Sequence, residues 1–157
     1  MSIQPPLLKS QENNALTIKQ PIHDLYIREL TMEETDGLTK FHVLRDEDHL
    51  LRRFGQVQVI RKSPGRSETL CLRDVADEVW ALLEGQVEFA WHDLRQGSPS
   101  QGHWHHLHAE TPTLVLASLG VAFGCRALED SAFLIRLSTH AEGEHAGDRE
   151  IPWEFEA

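Results

Sequence analysis

Apolar and polar residues alternate with period two along most of the chain after Pro21. Such alternation places every second side chain on one face of an extended strand. It predicts strands at residues 25–30, 40–45, 54–60, 78–83, 86–91, 103–108, 113–117, 123–128 and 132–138. In the third of these, apolar Phe54, Val57 and Val59 lie among Gln56 and Gln58. Glu84-Gly85 separates two strand-like runs and predicts a β-hairpin, with Gly85 supplying the positive φ of a tight turn. Residues 31–36 predict a single helical turn, and no segment sustains a 3.6-residue period over three turns. Ser63-Pro64-Gly65, Gln96-Gly97-Ser98-Pro99 and Glu110-Thr111-Pro112 are turn chemistry between the runs. Many short strands at short spacing predict an all-β sandwich or barrel. Residues 1–20, with Pro5, Pro6, Asn13 and Asn14 and little periodicity, are expected to be an N-terminal arm. Residues 21–157 are expected to be one domain.

Composition narrows the function classes. The chain has 157 residues, enough for one core, and 40% of them are apolar. No apolar run approaches the ~20 residues that span a bilayer. The N-terminus has no basic-then-apolar leader pattern. A cytoplasmic protein without a membrane span is expected. The net charge of -10 repels phosphate backbones in bulk, so no nucleic-acid partner is expected. A small anionic ligand is still admissible, because one phosphate answers to a local guanidinium. Cys71 and Cys125 are the only cysteines and form no Cys-x-x-Cys pair.

Three patches carry a family resemblance. Gly85-Gln86-Val87-Glu88-Phe89-Ala90-Trp91-His92-Asp93-Leu94-Arg95 leads into Ser98-Pro99, Gly102 and Trp104. Gly120-Val121-Ala122-Phe123-Gly124 follows. Then come Asp130-Ser131-Ala132-Phe133-Leu134, Glu144 and Ile151-Pro152-Trp153. In this order the patches resemble the dTDP-4-dehydrorhamnose 3,5-epimerase family, whose members carry Asp-Leu-Arg, Ser-Pro-Thr and Gly-Phe-Ala-His-Gly. The resemblance implies a cupin jelly roll (double-stranded β-helix), a carbohydrate or nucleotide-sugar ligand, no cofactor and a homodimer. It also implies proton abstraction beside a ketone, which requires a base and an acid on opposite faces of a ring carbon and a donor for the enolate oxygen.

The residues for that chemistry are replaced. Thr69 stands where the resemblance puts the histidine base, Glu78 where it puts a lysine, and Phe123 where it puts a second histidine. Ser138-Thr139-His140-Ala141 covers the tyrosine region. A divergent member without epimerase activity is therefore expected, with His140 the candidate for any residual base. Gln56, Gln58 and Arg66 are candidate ligand contacts carried over from the cleft. Arg95, at a strand exit, is a further one, although a brace for the following loop explains it equally well.

Ten histidines are present, four of them in His103-Trp104-His105-His106-Leu107-His108. His103 and His105 share a strand face and are candidate metal ligands. A first-row metal prefers three or more ligands, so the metal-dependent cupin enzyme stands as an alternative beside a non-catalytic binding or assembly module.

Overall fold

The computed structural model describes residues 21–65, 69–142 and 147–153. The expected arm, residues 1–20, lies outside the described residues. Twelve strands follow one another: β1 (Ile27–Glu29), β2 (Thr31–Thr35), β3 (Leu38–His42), β4 (Gln56–Lys62), β5 (Thr69–Leu72), β6 (Glu78–Glu84), β7 (Val87–Asp93), β8 (Trp104–Ala109), β9 (Thr113–Ala117), β10 (Val121–Ala127), β11 (Ala132–Ser138) and β12 (Arg149–Pro152). A single 3₁₀ turn, Asp46–Asp48, is the only helical element among the described residues.

Two five-stranded antiparallel sheets face each other. One runs β1-β9-β6-β11-β4 and the other β12-β5-β10-β7-β8. The chain crosses between them at β4–β5, β5–β6, β6–β7, β8–β9, β9–β10, β10–β11 and β11–β12, which makes this an all-β jelly roll. The crossings explain why period two dominates the sequence: each strand has one face toward the other sheet and one away. In β11, Ala132, Leu134, Arg136 and Ser138 are buried, while Phe133 between them is exposed. The core between the sheets is aromatic: Phe89, Trp91 and Phe123 lie within 5.4–6.2 Å of one another, centroid to centroid. Ile22 and Leu25 close the same cluster.

Three expectations need correction. Residues 31–36 do not form a helical turn: Thr31–Thr35 is β2, paired with β3 around Gly37 at φ 72°. β-branched threonines at both ends of that strand favour the extended form over a helix. The runs on either side of Gly85 are not a hairpin, because β6 pairs with β9 and β11 while β7 pairs with β8 and β10. Gly85 does take a positive φ, 99°, but the reversal carries the chain across the sandwich. Finally, β5 and β12 were not anticipated. They pair with each other at one edge of the second sheet.

Candidate functional site

Alternation along β6 and β11, with the end of β5 in the facing sheet, turns polar side chains into the sandwich beside the aromatic core. Arg73 follows β5, Glu78 opens β6, and Arg136 and Ser138 close β11. β6 and β11 are paired so that Ser138 faces Glu78 and Arg136 faces Trp80. The four polar residues are buried and converge on the Glu78 carboxylate. Arg73 Nη1 and Arg136 Nη2 both donate to Glu78 Oε2, the latter at 2.7 Å. Ser138 Oγ donates to it at 3.3 Å, and Trp80 Nε1 donates to Oε1 at 2.9 Å. Burial alone would raise the Glu78 pKa, but the Arg136 hydrogen bond and charge, with Trp80 and Arg73, hold it below the ordinary carboxylate value. Arg73 is held further by Asp148 and by the carbonyls of His140 and Ala141.

This network forms one wall of a cavity of about 220 Å³. The floor is apolar, with Trp80 and Phe123 5.4 Å apart. Lys62, Thr69, Glu142 and Glu150 stand around it. Both cysteines face it as well, on adjacent strands. Burial raises the Cys71 thiol pKa, and pushes that of the more deeply buried Cys125 up to about 12. Thr69, Glu78 and Phe123, the three positions at which the resemblance puts catalytic groups, thus line a single cavity.

The other candidates fall in different places. Gln58 stands behind the cavity wall and accepts from Arg136 Nη1 (3.0 Å), and Gln56 accepts from the backbone N–H of Glu142 (3.3 Å). Arg66 lies outside the described residues. Arg95 is not at the cavity. Its Nε and Nη2 donate to the two oxygens of buried Asp93 (2.9 and 3.0 Å), and Nη2 also donates to the His23 carbonyl. Ser98 and Ser100 hydroxyls donate to Asp93 at 2.6 Å each. Burial would raise the Asp93 pKa, but these donors hold it far below the usual carboxylate range. His140 sends its ring away from the cavity: Arg53 Nη1 donates to its Nε2 (2.8 Å), and its Nδ1 is 2.9 Å from Thr139 Oγ1. His103 Nδ1 lies 3.2 Å from the Pro21 carbonyl. His105 packs on Trp91 at 5.5 Å, where burial lowers its pKa. No three metal-ligating side chains converge among the described residues.

Arg73 and Arg136 were not among the sequence candidates. The signal for Arg136 was present: it has the same parity on its strand as buried Leu134 and Ser138. What the sequence lacked was the pairing that brings β6 beside β11.

No family model matches the chain. Among curated proteins, the spore coat polysaccharide biosynthesis protein SpsL of Bacillus subtilis is 25% identical over 139 residues, covering 86% of this chain and 92% of that protein. Solved structures share the architecture more closely than the sequence. A dTDP sugar isomerase from Desulfovibrio desulfuricans superposes with a TM-score of 0.74 at 20% identity, covering 87% of this chain and 88% of that one. A dTDP-4-dehydrorhamnose 3,5-epimerase from Bacillus anthracis, with TDP and PPi bound, gives 0.74 at 16% identity over 87% and 83%. ChmJ, a 3'-monoepimerase from Streptomyces bikiniensis solved with dTDP, gives 0.73 at 18% identity over 82% and 69%. The chain has the cupin jelly-roll fold of the dTDP-sugar epimerases and isomerases.

Proposed function

We propose that the barrel cavity binds a nucleotide sugar or a related carbohydrate without catalysing 3,5-epimerisation. The carrying observation is the character of the barrel interior. An aromatic floor, Trp80 and Phe123, suits the apolar face of a sugar ring, and a rim of fixed charges suits its hydroxyls. At 220 Å³ the cavity is smaller than the ~300–1,000 Å³ of sites for drug-sized ligands, so it takes one sugar ring and leaves a nucleotide at the mouth. Gln56 and Gln58 support the wall from behind, through the Glu142 N–H and Arg136, and Arg66 stays a candidate ligand contact on the resemblance alone. Relatives in fold are bound to dTDP and dTDP-quinovose, which supports ligands of this class.

Silence in the epimerase reaction follows from the chemistry of the lining. Thr69 has no accessible basic form near neutral pH, Phe123 carries no proton, and Glu78 is neutralised by two guanidiniums. None of the three can abstract a proton beside a ketone or stabilise the enolate oxygen. A homodimer joined through the sheets is part of the same proposal. The outward faces of β4 and β11 expose Val57, Val59 and Phe133, and among the described residues the outer edge of β4 has no partner strand.

Thermal shift with dTDP at millimolar concentration, combined with alkylation of Cys71, tests the binding claim. Ligand in the cavity should raise the melting temperature by mass action and slow alkylation of Cys71. Neither effect with dTDP or any dTDP-sugar would sink this reading and favour the non-catalytic assembly module.

A further inference from the structure

Arg136 holds two carboxylates of opposite character. Its side chain is 8% exposed, and one partner, Glu78, is 6% exposed and fixed by Arg73 and Trp80 as well. The other partner, Glu142, has a side chain 55% exposed and stands at the cavity. Arg136 Nη1 donates to Glu142 Oε2 at 2.6 Å. The Arg136 Nε is buried and makes no hydrogen bond among the described residues. The Glu142 backbone is tied separately, through its N–H to Gln56 Oε1. Its carboxylate can therefore rotate off Arg136 into solvent while the backbone stays in place. Glu78 has no such freedom.

We propose that Glu142 is an internal anion occupying the ligand's anion site on Arg136, and that a phosphate or carboxylate carried by the sugar displaces it. The proposal rests on the cavity being the carbohydrate site. With Glu142 turned away, the Nη1 hydrogen that it held is open to either oxyanion, while Gln58 keeps its own bond to Nη1. Exchanging one anion for another leaves the charge around the buried cation unchanged, so the exchange has little electrostatic cost. A neutral sugar gives Arg136 nothing in return and leaves Glu142 in place. The Arg136 hydrogen bond holds the Glu142 carboxyl below its ordinary value, so at neutral pH Glu142 competes as a full anion. The ligand class is thus an anionic carbohydrate, with the charged group within reach of a ring lying on Trp80.

Calorimetric titration of the wild type, Glu142→Gln and Glu142→Ala with dTDP, inorganic phosphate, glucuronate and glucose tests this. Removing an internal competitor of half-exposed ion-pair strength should tighten oxyanion binding about two- to fivefold in both variants and leave glucose unchanged. Tightening for dTDP and phosphate assigns the site to a phosphate; tightening for glucuronate assigns it to a sugar carboxylate. Oxyanion affinity equal to or below wild type in both variants overturns the inference and leaves the carbohydrate reading standing, as does binding of glucose alone. No binding of any probe to any of the three proteins overturns both.

Discussion

Asp93 is fully buried and accepts five hydrogen bonds: from the Arg95 backbone N–H, Arg95 Nε and Nη2, Ser98 and Ser100. Asp93→Asn turns acceptor lone pairs into donors facing donors. It should cost about 3 kcal/mol in urea unfolding; a loss within experimental error would contradict the bracing role. The pH dependence has a definite sign. Asp93 and Glu78 both have folded-state pKa values below their ordinary ones. Their stabilisation is therefore fully present above the unfolded carboxylate range, ~4, and is lost as pH falls below it. Unfolding free energy should be flat from about pH 5 to 7 and fall steadily below about pH 4. A fall with rising pH across that window would contradict the assignment. Asp93 and Arg95 were legible as a braced bend, because a carboxylate and a guanidinium two residues apart at a strand exit have few other uses. Arg136 was not singled out, because strand parity says that a side chain points inward but not which side chain it will meet.

Among the elements, β10 shows how one glycine sets a packing layer. A Cβ on Gly124 would lie 2.5 Å from Leu70 Cδ2 and 2.8 Å from the Trp153 ring. Trp153 covers the outer face of the second sheet there, with Arg126 3.9 Å above its ring. Gly124→Ala should push the indole away and cost about 1–3 kcal/mol. In Trp153→Ala the same substitution should cost less, because only the Leu70 contact is left to give; additive costs in the double-mutant cycle would contradict the Trp153 contact. The family patch around Gly120–Gly124 pointed to this strand, but neither β5 nor β12 was readable. β5 has four residues and β12 is Arg-Glu-Ile-Pro, polar on an edge, with Pro152 where its missing N–H does no harm. The Gly85 reversal was legible as a turn. It is not a hairpin: turn chemistry reports a change of direction and not the sheet that the next strand joins.

At the scale of the whole molecule, the all-β class was legible from period-two patterning. The jelly-roll topology came from the resemblance, since strand spacing alone fits many sandwiches. The cavity was legible only in outline. The resemblance marked Thr69, Glu78 and Phe123, which meet in space, yet the arginines that hold Glu78 and the tryptophan beneath them arise from strand pairing. A homodimer in solution is the expected assembly, and a monomeric mass at micromolar concentration would contradict it. The cavity is proposed to accept a nucleotide sugar or a related carbohydrate while lacking the groups for epimerisation. The most direct measurement offers dTDP-4-keto-6-deoxyglucose in deuterated water and follows both binding and exchange by NMR. Saturable binding is expected, with no deuterium incorporated at C3 or C5 above background. Rapid incorporation at both carbons, or no binding at all, would contradict it.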